Sequence, residues 1–245
     1  MIYALDFDGV ICDSAVETAI TGWKAAGQIW SDMQGPVPEG LITQFRQVRP
    51  IIETGYEAIL AMRLLFLGES CAAIYSDYEA KTRQLLEQTQ VTTDALKKLF
   101  GDTRDHWIAD DLADWIRMNP LFAGVAEKLQ VLWQAHVWYV VTTKQERFVK
   151  HILSAHAIEL DETRIFGLDR QMSKPQVLRH LLSLYPDQAM LFVEDRLPTL
   201  LNVQNQPDLA GVDLLFALWG YNTGEDKRTA EKSGFAAQEL SDFLR

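Results

Sequence analysis

The sequence predicts an α/β protein with a doubly wound, Rossmann-like parallel sheet and an inserted all-α segment. Four apolar runs have the length of strands and do not alternate cleanly with polar residues: 2–5, 137–141, 190–193 and 214–218. Such runs are typical of parallel strands that are buried on both faces. Helical patterns separate the later runs, at about 124–134, 145–155, 175–184 and 198–204. Strands that alternate with helices form right-handed βαβ units, which build a doubly wound sheet.

The segment 14–118 lies between the first two strands and contains no strand pattern of its own. Residues 72–88 and 91–100 have helical patterns, and Pro50 is expected to end or kink a helix. We therefore predict a core domain formed by 1–13 and 119–245, interrupted by an all-helical domain at 14–118. At the other end of the chain, we expect a loop at 221–234 and a short final helix at 236–244.

Composition and charge favour a cytoplasmic enzyme. The chain has 245 residues, of which 48% are hydrophobic and 23% are charged, as in ordinary globular proteins. Its formal net charge of −11 argues against a general nucleic-acid surface or an anionic membrane as partner. Cys12 and Cys71 do not suggest a disulfide framework or a zinc site. No basic segment followed by an apolar stretch opens the chain, and no feature of the sequence indicates an oligomeric state.

Acidic, hydroxyl and amino groups follow the predicted strands, at the edge where open α/β sheets bind ligands. The groups are Asp6-Phe7-Asp8-Gly9 after the first strand, Thr142-Thr143 after the second, Ser173-Lys174-Pro175 before a helix, and Glu194-Asp195 after a third strand. Taken alone, the first of these motifs also fits an acidic turn that caps a helix. Together the groups suit phosphoryl transfer. A carboxylate can attack phosphorus, a second can act as acid/base, a lysine can balance charge, and further carboxylates can bind Mg²⁺.

In this order of motifs the chain resembles the haloacid dehalogenase-like (HAD) hydrolase superfamily. Phe122-Ala123-Gly124-Val125 and Leu129 resemble the stretch before the second motif in phosphoglycolate phosphatase-like members. The helical segment 14–118 stands where that subgroup has its α-helical cap. The resemblance spans the whole chain, although about a dozen positions carry it, and it implies the same core with an inserted cap.

The resemblance also implies a role for each motif residue. Asp6 would be the nucleophile and Asp8 the general acid/base. Thr142 and Lys174 would bind the phosphoryl group, with help from backbone amides near Phe7 and Thr143.

The same resemblance implies a Mg²⁺ site formed by Asp6, the carbonyl oxygen of Asp8, and Asp195, with Glu194 in support. The chain departs from the family here, because Glu194 replaces a glycine and no acidic residue follows three or four positions later. Which of Glu194 and Asp195 contacts the metal is therefore open.

Asp8 favours a phosphatase that acts on a small phosphorylated metabolite. Members of the family that break carbon–halogen bonds lack an acid at this position, because their leaving group needs no proton. A phosphomutase and a non-catalytic binding protein on the same scaffold remain alternatives. No Gly-rich loop ending in Gly-Lys-Ser/Thr is present, which argues against a P-loop kinase or ATPase.

Several other residues have weaker signals. Among Arg46, Arg49 and Arg63 of the cap, Arg49 is the best candidate for a second anionic group of the substrate, because it precedes Pro50. For Lys144 we favour a surface position over contact with the substrate. For Trp219-Gly220-Tyr221 we favour packing over a place at the border of the site.

Overall fold

The computed structural model describes residues 1–245 and divides the chain into two units. The core unit consists of Met1–Asp13 and Pro120–Arg245, and the helical unit consists of Ser14–Asn119. No helix in either unit combines the length and the apolar character needed to cross a membrane.

The core unit is built on a six-stranded sheet in which all neighbouring strands are parallel. The strands are β1 (Ile2–Leu5), β2 (Val137–Val141), β3 (Ile165–Phe166), β4 (Met190–Glu194), β5 (Val212–Ala217) and β6 (Ala236–Gln238). Their order is β3-β2-β1-β4-β5-β6. The chain thus runs from β1 to one edge, returns to the other side of β1, and continues outward. This topology confirms the predicted doubly wound sheet.

The helical unit contains no strand, and besides a short 3₁₀ helix at Arg49–Ile51 it has five α-helices. They are α1 (Ala15–Ile29), α2 (Leu41–Val48), α3 (Glu57–Phe66), α4 (Cys71–Thr89) and α5 (Thr93–Arg117). The backbone is non-helical at Asp77 within α4 and at Asp111 within α5, so each of these helices is broken once. Helices α1 and α3 approach closely at Gly22, where a Cβ atom would lie 2.7 Å from the carbonyl oxygen of Ala58.

A buried ion pair ties α1 to α5 inside the helical unit. The Nε and Nη2 atoms of Arg104 donate to the two carboxylate oxygens of Glu17, each at 2.7 Å. Thr21 and Trp115 donate to the same carboxylate at 2.6 and 3.2 Å. A buried carboxylate is tolerated when it is paired and hydrogen-bonded in this way, because loss of either partner would leave an uncompensated charge.

Six α-helices of the core unit alternate with its strands along the chain. They are α6 (Val125–Ala135), α7 (Glu146–Ala155), α8 (Lys174–Leu184), α9 (Leu197–Gln204), α10 (Gly224–Lys232) and α11 (Leu240–Phe243). The predicted loop at 221–234 is wrong, because most of it is α10. This helix buries a single residue, Ala230, so it has no apolar periodicity, and a capping box between Thr223 and Asp226 closes its N-terminus.

The predicted final helix at 236–244 is also partly wrong. Residues Ala236–Gln238 form the edge strand β6, and the helix is shortened to Leu240–Phe243. The strand lacked a recognisable pattern because it is short, alanine-rich and largely exposed. The two-residue strand β3 was missed because two residues show no periodicity.

Candidate active site

Parallel register brings the carboxyl ends of three strands to one level. Leu5 of β1 pairs with Val140 of β2 on one side and with Val193 of β4 on the other. The backbone N–H of Asp6 donates to the carbonyl oxygen of Val193 at 3.0 Å, which extends this alignment by one residue. The side chains that end these strands therefore face the edge where open α/β sheets bind ligands.

Lys174 links the carboxylates of Asp6 and Glu194. Its Nζ atom is 3.0 Å from Oδ2 of Asp6 and donates to Oε2 of Glu194 at 2.6 Å. Lys174 begins α8, whose start is fixed by a capping box between Ser173 and Gln176. Burial alone would lower the pKa of the Lys174 ammonium, but the two carboxylates outweigh it and hold this pKa above its ordinary value. Lys174 is therefore charged at neutral pH.

Glu194 is completely buried at the end of β4. Its Oε1 atom accepts from the backbone N–H of Arg196 at 3.0 Å, while Oε2 accepts from Lys174. Burial raises the pKa of the Glu194 carboxyl to about 8, the Asp6 carboxylate adds to this shift, and Lys174 opposes it. Burial and the neighbouring Asp6 carboxylate together thus outweigh the stabilisation that Lys174 gives to the charged form of Glu194.

The segment after β5 closes around Asp195. The backbone N–H of Tyr221 donates to Oδ2 of Asp195 at 2.5 Å, and Nδ2 of Asn222 donates to its carbonyl oxygen at 3.3 Å. Two glycines leave room for this carboxylate. A Cβ atom on Gly9 would lie 2.0 Å from Oδ2 of Asp195, and one on Gly220 would lie 2.3 Å from its Cβ. For Trp219-Gly220-Tyr221 we favoured packing over a place at the border of the site. That prediction is wrong for Gly220 and Tyr221, because both border the Asp195 carboxylate.

Asp8 has a lysine partner of its own. The Nζ atom of Lys144 donates to Oδ1 of Asp8 at 2.9 Å, and the Lys144 side chain is 1% exposed. The expected surface position of Lys144 is therefore wrong. No local pattern indicated that Lys144 is buried, because its partner Asp8 lies 136 positions away in sequence.

Three buried carboxylates could hold a metal ion. Asp6, Glu194 and Asp195 each offer one oxygen, and these oxygens lie within 4.8 Å of one another. Together with Asp8, the site has four carboxyl groups against two lysines, so a divalent cation would compensate the negative charge that remains when all four are ionised. An all-oxygen donor set is the kind that Mg²⁺ prefers. The residues present therefore fit a divalent cation.

Comparison with solved structures identifies the fold. Neither protein-family models nor curated proteins give a match to this sequence. A predicted phosphoglycolate phosphatase from Haemophilus somnus is 18% identical with a TM-score of 0.63, and the match covers 99% of this chain and 96% of that chain. A haloacid dehalogenase-like family hydrolase from Streptococcus pneumoniae is 15% identical, with a TM-score of 0.58 and coverage of 99% and 96%. This chain has the haloacid dehalogenase-like fold.

The haloacid dehalogenase-like fold is not tied to one activity. Protein tyrosine kinase A from Mycobacterium tuberculosis is also similar to this chain, at 21% identity and a TM-score of 0.55 over 100% of this chain and 95% of that chain. At these identities the likeness establishes the fold alone, so the activity has to be argued from the site.

The remaining predicted core residues follow β1 and β2, which are neighbours in the sheet. The backbone N–H of Phe7 donates to Oδ1 of Asp6 at 2.8 Å. Thr142 is buried at the end of β2, and its Oγ1 atom accepts from the backbone N–H of Lys144 at 3.1 Å. Thr143 follows it and is half-buried. The roles of Phe7, Thr142 and Thr143 toward a phosphoryl group stay predictions.

Arg49 belongs to the helical unit and is not projected into solvent. Its side chain is buried, and its Nη1 atom donates to the carbonyl oxygen of Ile52 at 2.8 Å. Arg46 is exposed, and Arg63 pairs with Asp32 at 2.7 Å. The assignment of Arg49 to a second anionic group stays a prediction.

We expect the unfolding free energy of the cation-free protein to fall as the pH rises from about 4.5 to about 8. Glu194 has an ordinary pKa of 4.5 and a pKa of about 8 in the fold. Between these values the folded protein keeps a proton that the unfolded chain has lost, so stability decreases with rising pH. Glu194→Gln should flatten this decline, whereas Glu159→Gln, at an exposed position, should not. Urea midpoints in EDTA measure the effect, and parallel pH curves for Glu194→Gln and wild type would contradict it.

Proposed function

We propose that this protein is a Mg²⁺-dependent phosphatase that hydrolyses the phosphomonoester of a small metabolite through an aspartyl-phosphate on Asp6. The observation that carries the proposal is that the two carboxylates that follow β1 pair with different lysines. Asp6 contacts Lys174, and Asp8 contacts Lys144. Separate partners support separate roles, with Asp6 as the nucleophile and Asp8 as the group that exchanges protons.

In the first half of the reaction, an oxygen of Asp6 attacks phosphorus and the bond from phosphorus to the leaving oxygen breaks. Asp8 gives a proton to that oxygen, so the product leaves as an alcohol. Lys174 offsets the negative charge of Asp6 and of the approaching phosphoryl group. The hydroxyl of Thr142 and backbone amides near Phe7 and Thr143 would hold the phosphoryl oxygens.

In the second half, Asp8 takes a proton from a water molecule, which attacks the phosphorus of the aspartyl-phosphate. The acyl phosphate bond breaks, Asp6 is restored as a carboxylate, and inorganic phosphate leaves. Asp8 regains in this step the proton that it gave to the leaving alcohol, so the enzyme returns to its starting state.

Asp6, the carbonyl oxygen of Asp8, and Asp195 would hold Mg²⁺, with Glu194 in support. When bound, the ion would neutralise charge on the phosphoryl oxygens and on Asp6. The clustered oxygens, and the four carboxyl groups that face only two lysines, support this part of the proposal.

We expect the wild type to release phosphate from at least one compound in a broad panel of phosphorylated metabolites in the presence of Mg²⁺. EDTA should abolish release, because the carboxylate cluster is then left unbalanced. Asp6→Asn should also abolish it, because an amide is not a competent nucleophile. Colorimetric assay of inorganic phosphate measures all three results.

Lys150→Met is a suitable control for this assay, because Lys150 is exposed and pairs with Glu162 on the surface. Undiminished phosphate release by Asp6→Asn would contradict an aspartyl-phosphate intermediate on Asp6. Conversion of a sugar phosphate into its isomer without release would identify a phosphomutase. No turnover of any compound would favour a non-catalytic binding protein.

We expect Gly220→Ala to weaken Mg²⁺ binding by about tenfold to a hundredfold, the range seen when groups that orient metal ligands are altered. The added Cβ atom would lie 2.3 Å from Cβ and 2.7 Å from Oδ2 of Asp195, so the carboxylate has to move. Gly211→Ala is the matched control, since a Cβ atom there meets nothing within 4 Å. Titration calorimetry with MgCl₂ on the folded variants compares them, and equal affinities would show that Asp195 does not help to hold the ion.

A further inference from the structure

Lys144 is a buried cation to which the proposed reaction assigns no task. Its ammonium nitrogen lies 2.9 Å from Oδ1 of Asp8, and only 1% of its side chain is exposed, against 18% for Asp8. Fully buried lysines are rare unless paired, because removal of an ammonium group from water is costly. This burial therefore indicates that the position of Lys144 is tied to Asp8.

The backbone of Lys144 is fixed from both sides. Its N–H donates to Oγ1 of Thr142 at 3.1 Å, and its carbonyl oxygen accepts from the N–H of Leu168 at 3.1 Å. A Cβ atom on Gly167 would lie 2.4 Å from that carbonyl oxygen, so the approach of the two segments requires glycine. Because this backbone is held, the ammonium group of Lys144 lies at a defined point beside Asp8.

That point lies beside the turn that follows β1. The Nζ atom is 5.8 Å from the centroid of the Phe7 ring, which is completely buried. The turn itself is closed by backbone bonds, with the N–H of Gly9 donating to the carbonyl oxygen of Cys12 at 2.9 Å. The turn that contains Asp8 is thus held by backbone hydrogen bonds, and the bond from Lys144 adds a restraint on the Asp8 carboxyl group.

The two lysines of the site differ in partner and in origin. Lys174 comes from the start of α8 and contacts Asp6 and Glu194, whereas Lys144 comes from the end of β2 and contacts Asp8. A lysine that served only to balance the charge of the phosphoryl group would be expected beside the nucleophile, where Lys174 already lies.

We propose that Lys144 is a positioning residue that orients the carboxyl group of Asp8 for proton exchange with the leaving oxygen. This inference rests on the proposed phosphatase function and goes beyond it, because it assigns the orientation of the acid/base to one side chain. Proton transfer requires the donor within hydrogen-bond distance of the leaving oxygen, so a small displacement of Asp8 is costly.

The test uses aryl phosphates whose leaving phenols differ in basicity, from para-nitrophenyl phosphate to phenyl phosphate. A nitrophenolate leaves without a proton, whereas an unsubstituted phenolate needs one far more. We expect Lys144→Met to lower kcat/KM for phenyl phosphate by about a hundredfold and to affect para-nitrophenyl phosphate much less. Asp8→Asn should show the same dependence on the leaving group, and Lys150→Met should match the wild type on every substrate.

A double-mutant cycle separates positioning from other roles. If Lys144 acts through Asp8, Lys144→Met should cause almost no further loss in an Asp8→Asn background. The double variant also removes both partners of the ion pair, so it provides a folded comparison if Lys144→Met alone is unstable. Thermal unfolding checks each protein before kinetics.

The possible results are distinguishable. An equal loss across all aryl phosphates, or a loss that persists in the Asp8→Asn background, would overturn the positioning role while leaving the phosphatase intact. A wild type that hydrolyses neither aryl nor metabolite phosphates would overturn the proposed function, and this inference with it.

Discussion

The site depends on one ammonium group shared by two carboxylates. Lys174 lies between Asp6 and Glu194, and both are buried at the ends of adjacent strands. Without this lysine, two carboxylates would meet in a region of low dielectric, where like charges are strongly disfavoured. The lysine opposes but does not cancel the effects of burial and of repulsion from Asp6, which together raise the pKa of Glu194. A divalent cation would relieve the rest, so the same imbalance that destabilises the cation-free site favours cation binding.

The sheet makes this arrangement possible. Because β1 lies between β2 and β4 in parallel register, three strands end at one level, and short connections bring groups from α8 and the segment after β5 to the same place. Residues far apart in sequence thereby lie at the same edge of the sheet. The side chains at that edge set the function, so proteins with different functions can share this fold.

The sequence predicted the elements whose physical cause is local, and it missed those whose cause is tertiary. Strands β1 and β2 were predicted to the residue, because burial on both faces leaves a continuous apolar run. Helix α10 and strand β6 bury too little to leave a pattern. Lys144 was misjudged for a related reason. Its burial depends on Asp8, and no spacing along the chain reveals a pair that forms only when β1 and β2 lie side by side.

The central claim is that Asp6 forms a covalent bond to phosphorus. The most direct measurement is to react the protein with its best substrate, trap the intermediate with borohydride, and locate the reduced residue by mass spectrometry. An aspartyl-phosphate at Asp6 would be reduced to homoserine at that position, and we expect no other carboxylate to change. Reduction at a different residue, or none during rapid turnover, would contradict the account.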